Sequence, residues 1–296
     1  MTNKMSHLAE PDLIVNDDGS IYHLSLLPEQ LADTILIMGD PGRVSEVSGF
    51  FDHIECRVSN REFISHTGIY RGTRITALST GIGTDNIDIV MQELDALANY
   101  NLVTRLPAVQ RKTLTIIRIG TSGAIQPDIP LNSFGLSTHA MGLDNLIYFY
   151  ADFQKIIDKE LSAHFARHAN WNSQLTLPYF IRGSEKLIRH FSEGTVPGIT
   201  VTAPGFYGPQ GRRLYPALTD PEMIEKLQRF HCRGNRITNF EMETSALYGL
   251  GALMGHETIT VCALVANRST GEYNHHHGPV IRELIQLVLE RLVVGK

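Results

Sequence analysis

Short apolar runs alternate with amphipathic stretches through most of this chain. TILIM, residues 34–38, has the length and branched content of a buried strand, and GDPGRV follows it directly. RITALST, residues 74–80, is a second such run and ends in GIG at 81–83. Beyond it, Ile87, Val90, Met91, Leu94 and Leu97 recur at spacings of three and four, which predicts a helix with one apolar face. TLTIIRI (113–119) and TITVCALVA (258–266) predict two more buried strands, the first closing on a GTSG turn at 120–123. Helices are predicted over residues 157–169 and, from the amphipathic VIRELIQLVLERLV, over 280–293. Residues 1–20 are polar and read as a loosely held tail, and residues 101–112 read as a loop.

Strands alternating with helices predict an α/β layered fold. No internal repeat, low-complexity block or long Pro/Gly/Ser linker interrupts residues 21–296, so they are expected to form a single domain. Of the 296 residues, 43% are hydrophobic and 19% charged, enough for a sizeable core. The net charge of −5 argues against a protein that grips nucleic acid, so any anion site must be a local cluster of arginines. Cys56, Cys232 and Cys262 lie far apart with no C-x-x-C pairing, which fits a reducing compartment better than a disulfide framework or a structural zinc site. The first twenty residues lack the apolar core of a signal peptide, and no run of about 18 apolar residues occurs. A cytoplasmic protein with no membrane partner is expected.

In open α/β sheets, ligands sit beyond the carboxyl ends of the strands. Three glycine-rich turns, at 39–42, 81–83 and 120–123, fall at such ends, and neither a P-loop nor a dinucleotide fingerprint is in place. Arg43 follows the first turn and Arg118 precedes the third. An arginine inside an apolar strand requires an anionic partner, either an internal carboxylate or a bound oxyanion. NFEMETSAL, residues 239–247, holds two carboxylates two positions apart. In an extended segment Glu241 and Glu243 would share one face and Met242 would take the other. At a helix start the same acids would serve the dipole instead.

Taken together, GDPGRV, NREF (60–63), STGIG (79–83), RIGTSGAIQ (118–126), FYGPQGR (206–212) and EMETSAL (241–247) resemble the nucleoside phosphorylase family, and within it the uridine phosphorylases. The resemblance runs from YHLSL at 22–26 to VANR at 265–268. It implies a three-layer α/β/α sandwich around a mixed central sheet. It also implies reversible phosphorolysis of uridine, extending to deoxyuridine or thymidine, to give uracil and a pentose 1-phosphate. Gly39, Arg43, Arg118 and Thr121 would hold phosphate, and Arg61 would reach the phosphate of a neighbouring subunit. His23 would reach across in the same way to the ribose, which Met242 and Glu243 would also contact. Phe206, Gln210, Arg212 and Glu241 would serve the base, with Glu241 orienting Arg212 or closing the site. Arg118, Glu243 and Arg212 would carry the chemistry. A carboxylate beside the sugar answers the positive charge that develops as the glycosidic bond breaks. Inorganic phosphate is a co-substrate and no organic cofactor is implied. Shared sites imply a homo-oligomer, a dimer or a hexamer built from dimers.

Three departures from the family pattern stand out. Pro209 occupies a position before Gln210 where glycine is common, and residues 101–112 form a longer segment than in many bacterial members. Glu62 matches a ligand of a potassium site found in some relatives, but Asn86 replaces a serine of that site, so no metal is expected. The NHHHGP run at 274–279 reads as a polar loop. The segment near Asn267 lacks the aspartate with which purine-handling relatives serve N7, which favours a pyrimidine. A purine phosphorylase, a nucleosidase and a non-catalytic nucleoside-binding protein are the alternatives.

Overall fold

The computed structural model describes residues 7–293. From the N-terminus, β1 (Thr34–Met38) leads into the short helix α1 (Gly42–Ser48). An antiparallel meander follows: β2 (His53–Asn60), β3 (Phe63–Tyr70) and β4 (Thr73–Ser79). Helix α2 (Thr84–Asn99), a small hairpin of β5 (Tyr100–Asn101) and β6 (Leu106–Pro107), and the long strand β7 (Thr115–Ala124) complete the first half. The second half runs β8 (Phe134–Gly142), α3 (Lys159–His168), β9 (Tyr179–Arg182), α4 (Glu185–Phe191), β10 (Val196–Thr202) and α5 (Met223–Arg229). It ends with β11 (His231–Cys232), β12 (Asn235–Glu241), α6 (Thr244–Met254), β13 (Glu257–Asn267), β14 (Glu272–Tyr273) and α7 (Gly278–Val293).

Twelve strands join in one mixed sheet flanked by helices, as the resemblance implies. β1 is parallel to β4 on one side and to β7 on the other, and β7 is in turn parallel to β13. β8 runs antiparallel to β13 and reverses the direction for β10 and β12, which follow it in parallel. The sheet then curls until β12 meets β7 again, antiparallel, at Asn239–Ala124 and Phe240–Gly123. This closure brings the last residue of β12, Glu241, beside the middle of β7, where Arg118 lies.

The predicted helices are present because their apolar stripes have somewhere to go. Ile87, Val90, Met91, Leu94 and Leu97 on α2 are all buried, and α2 packs against α6. Asp158 caps α3 by accepting a hydrogen bond from the Leu161 amide at 2.8 Å. Three expectations change. The GTSG segment is strand, because β13 pairs with it from Gly120 through Gly123 and β12 covers the other edge of Gly123. The expected loop at 101–112 contains all of the β5–β6 hairpin but Tyr100, and its Arg105 hydrogen-bonds the carbonyl of Leu13 at 3.2 Å. The expected N-terminal tail is held over its later part: Leu13 is buried in the main core and Val15 bridges to Ile21. Residues 1–6 lie outside the described residues. Among the described residues no helix is long and apolar enough to cross a membrane.

His139 on β8 shows how the core treats a titratable group. It is buried, and Arg182 Nη1 donates toward its Nε2 at 3.5 Å. Burial, aided by the Arg182 charge, lowers its pKa from 6.5 to about 4. Between those values the unfolded chain binds a proton that the native chain refuses. Stability is therefore full above about pH 6.5 and is lost as pH falls toward about 4, by up to ~3 kcal/mol. His139→Gln is expected to flatten the fall of Tm over this window. An unchanged slope in a scanning-calorimetry series would remove His139 as its cause.

Candidate active site

A pocket of about 1000 Å3 opens at the carboxyl ends of β1, β4, β7 and β12. Gly39, Arg43, Arg118, Thr121, Phe206, Gln210, Arg212, Glu241, Met242 and Glu243 all line it. Ten of the twelve residues singled out from the sequence thus come together within one chain. The remaining two, His23 and Arg61, do not. Arg61 lines a separate surface hollow with Tyr22 and Asn60, and its guanidinium lies 5.6 Å from the Tyr22 ring centroid. His23 is held by Glu93, Nδ1 to Oε1 at 2.7 Å.

Arg118 is the floor of the pocket. Its side chain is 95% buried and is clamped by both carboxylates of the EMET segment, Glu241 at 3.2 Å and Glu243 in closer contact. The chain therefore satisfies Arg118 internally, yet its Nε is buried without a hydrogen-bond partner. Gly120 makes this geometry possible. Side chains two apart share a strand face, and a Cβ at 120 would overlap the Arg118 guanidinium and sit 2.8 Å from Cys262 Sγ. Burial pushes the Cys262 thiol up to about 12, against the pull of Arg118.

The two glutamates stand at a strand-to-helix junction: Glu241 is the last strand residue and Glu243 precedes the helix. Glu241 ends β12 and caps α6: its Oε2 accepts from the amides of Glu243 and Thr244 at 3.0 and 2.9 Å. Its Oε1 accepts from Thr202 Oγ1 at 2.6 Å. Burial raises the Glu241 pKa, while Arg118 opposes that rise. With these bonds made, Glu241 holds Arg118, and no contact with Arg212 occurs among the described residues. Glu243 sits at the N-cap position of α6, where its Oε1 accepts from the Gly83 amide at 2.9 Å. Gly83 adopts φ +101°, a conformation that favours glycine and turns its N–H toward the carboxylate. Because the strand ends at Glu241, Met242 turns into the pocket beside its neighbours instead of facing away.

Arg43, at the start of α1, is half-buried, and its guanidinium forms no hydrogen bond or ion pair among the described residues. Burial lowers its pKa, with Asp40 opposing and the Arg118 charge adding to the fall. At the other end, Phe206, Gln210 and Arg212 form one unit. The Arg212 guanidinium stacks 3.7 Å from the Phe206 ring centroid and donates to Gln210 Oε1 at 2.5 Å. Pro209 opens a single 3-10 turn, Gly208–Gln210, that buries the Gln210 side chain. Arg212 has a pKa lowered by burial and by the nearby Arg268.

Sequence reasoning passed over several residues. Arg268 reaches from the end of β13 to the carbonyls of Gln210 and Gly211 and pins the base loop from outside. Tyr273 and His277 also line the pocket. Their signals were a place just after a strand end and, for His277, the histidine run read as a polar loop. Asn267 points away: its Nδ2 donates to the carbonyls of Gln126 and Ile129 at 3.0 and 2.9 Å. Glu62 and Asn86 line the pocket, and no group of three metal-ligating side chains occurs among the described residues.

The comparisons agree with this geometry. The model of the Phosphorylase superfamily matches residues 33–293. A uridine phosphorylase of Thermococcus kodakarensis is 31% identical over 261 residues, covering 87% of this chain and 81% of that protein. A DeoD-type purine nucleoside phosphorylase of Colwellia psychrerythraea is 25% identical over 277 residues, covering 92% and 98%. The crystal structure of a Trypanosoma brucei nucleoside phosphorylase, described as showing uridine phosphorylase activity, superposes with a TM-score of 0.86 at 29% identity, covering 95% of this chain and 99% of that one. The fold, the pocket and these matches together make the chain a member of the phosphorylase superfamily, among its nucleoside phosphorylases.

Proposed function

We propose that the protein is a uridine phosphorylase. The observation that carries this reading is the buried Arg118 with an unspent Nε, clamped by Glu241 and Glu243 at one end of a pocket whose other end is Phe206, Gln210 and Arg212. Phosphate would take donors from Arg43, Arg118, Thr121 and the backbone at Gly39. Glu243 would accept from the ribose hydroxyls, with Met242 packing against the sugar. A phosphate oxygen bonds to C1′ as the C1′–N1 bond breaks, and the electron pair passes to the uracil ring. Arg212, fixed on Phe206 and Gln210, stabilises that anion. Because its guanidinium already covers one face of Phe206, the ring serves Arg212 first and the base second.

A pyrimidine is favoured over a purine by two facts. The strand end carries Asn267, whose side chain is fully engaged in structural bonds, and no acid takes its place there. The trypanosomal and archaeal relatives, both described by uridine phosphorolysis, favour the same choice. The site is completed by a second copy of the chain. Asp40, Glu62, Glu241 and Glu243 line the pocket against only Arg43, Arg118 and Arg212, so a phosphate dianion needs further cations. Arg61 and His23, outside this pocket, would supply them to a neighbour in a dimer or a hexamer of dimers. A monomer by sedimentation at assay concentration would refute that part.

The decisive assay follows absorbance with uridine and with inosine, each with and without phosphate. Phosphate-dependent cleavage of uridine, with inosine at least about tenfold slower, is expected; the net value of one neutral hydrogen bond is about that much. Cleavage without phosphate would make the protein a hydrolase, and faster cleavage of inosine would make it a purine enzyme.

A further inference from the structure

The histidine run at 275–277 is more than a featureless polar loop. Its first anchor is the short β13–β14 pairing, in which Tyr273 lies opposite Ala266. Directly opposed residues of an antiparallel pair share a face. Ala266 and Tyr273 both line the pocket, and Arg268, two residues on from Ala266, reaches the Gln210 carbonyl. Tyr273 therefore belongs to the base end. Asn274 then fixes the turn. Its amide donates to the Val265 carbonyl at 2.9 Å, its Nδ2 to Asn132 Oδ1 at 2.7 Å, and its Oδ1 accepts from the His276 amide at 2.8 Å.

The three histidines have separate fates on this anchored turn. His275 packs edge-on against Tyr273, with ring centroids 4.9 Å apart, and stays exposed like His276. Only His277 is half-buried and lines the pocket. Its carbonyl accepts the first hydrogen bond of α7, from Ile281 at 3.1 Å. Its Nδ1 lies 3.1 Å from the Asn274 carbonyl. A carbonyl only accepts, so Nδ1 carries the proton and Nε2 of the neutral ring carries the lone pair. Among the described residues neither Nε2 nor the Tyr273 hydroxyl has a hydrogen-bond partner.

We propose that His277 is a substrate-contacting residue that sets affinity for the nucleoside, with Nε2 accepting from an N–H or O–H of the nucleoside and Tyr273 forming the wall beside it. The proposal rests on the uridine phosphorylase reading for the identity of that nucleoside, though not for the contact itself. Phosphate, which offers mainly acceptors, is not its ligand.

The test compares the wild type with His277→Ala and His277→Phe. The phenylalanine keeps an aromatic ring against Tyr273 and removes both Nε2 and the Nδ1–H that donates to the Asn274 carbonyl. Both variants are expected to raise the KM for the nucleoside roughly three- to tenfold, the value of one neutral hydrogen bond, with the KM for phosphate unchanged and the Tm lowered by no more than the loss of the Nδ1–Asn274 bond accounts for. His277→Gln, which restores an acceptor, is expected to recover part of the loss. A nucleoside KM within twofold of wild type in both variants would overturn the proposal. So would an equal rise in the phosphate KM, or a rise in His277→Ala that His277→Phe fully repairs. The comparison uses whichever nucleoside the wild type cleaves, so turnover of inosine in place of uridine defeats the functional reading and leaves this contact to be judged by the same ratio. Should the wild type cleave neither, calorimetric titration of uridine into wild type and variants supplies the ratio.

Discussion

Arg118→Ala is expected to lose phosphorolysis by at least about 10²–10³-fold, the usual consequence of removing one donor aimed at developing or transferred charge. The same substitution is expected to damage the fold. Arg118 is the partner of two carboxylates that are themselves about 95% or more buried. Removing it leaves Glu241 and Glu243 facing each other without a cation, at a cost of about 3–5 kcal/mol for a broken buried pair. Glu241 would respond by taking up a proton, since burial already drives its pKa upward. Loss of activity in Arg118→Ala is therefore ambiguous alone, and Arg118→Lys separates the two causes. Lysine keeps the charge between the glutamates and should restore most of the Tm. Its single ammonium cannot reproduce a guanidinium that holds two carboxylates and still has a third donor free. Tm by calorimetry and kcat/KM for both substrates are the measurements. An Arg118→Lys enzyme with near-wild-type kcat/KM would exclude the phosphate role of that guanidinium.

How much of this was legible in the sequence depends on the range of the interactions. The buried strands at 34–38 and 258–266 and the helix stripe from Ile87 to Leu97 write their burial locally, as runs or periods, and the structure keeps them. The closure of the sheet does not. It is made by a contact between Asn239–Phe240 and Gly123–Ala124, more than a hundred residues apart, and neither segment carries a local mark of it. That contact also explains the misread GTSG turn. Glycines in a strand with a neighbour on each side look, in one dimension, like a turn; only the Arg118 side chain lying over Gly120 shows why a glycine is needed there.

The site was legible where several residues sit close together in the chain and less so where one acts from a distance. Phe206, Gln210 and Arg212 were grouped by sequence and are grouped in space. Glu241 was named, but its structural bonds were not legible, because its cap to Thr244 and its bond to Thr202 involve one near and one remote partner. Arg268 and His277 were not named as site residues. Their roles depend on where β13 ends and how the β13–β14 pairing turns, which composition does not encode.

Glu243 carries the second large effect, and it couples the two substrates. In this structure Glu243 already accepts from Arg118, from the Gly83 amide at 2.9 Å and from the Met242 amide at 3.3 Å. A ribose offering two hydroxyls meets a carboxylate whose acceptor sites are largely taken. On the proposed reading phosphate would compete for Arg118, and each step of that guanidinium toward phosphate would release capacity on Glu243 for the sugar. Phosphate is therefore expected to tighten nucleoside binding by roughly five- to a hundredfold, the usual span of a coupling of 1–3 kcal/mol. Titrating a C-linked pyrimidine nucleoside, whose base cannot leave, with and without saturating phosphate measures this directly. Equal affinity in the two titrations would refute the coupling. Glu243→Ala is expected to abolish it and to lower kcat/KM by about 10²-fold or more, because the carboxylate beside the positively charged sugar is gone. The fold should tolerate that change better than loss of Arg118. Arg118 would still be held by Glu241 at 3.2 Å, so no buried charge is left without a partner.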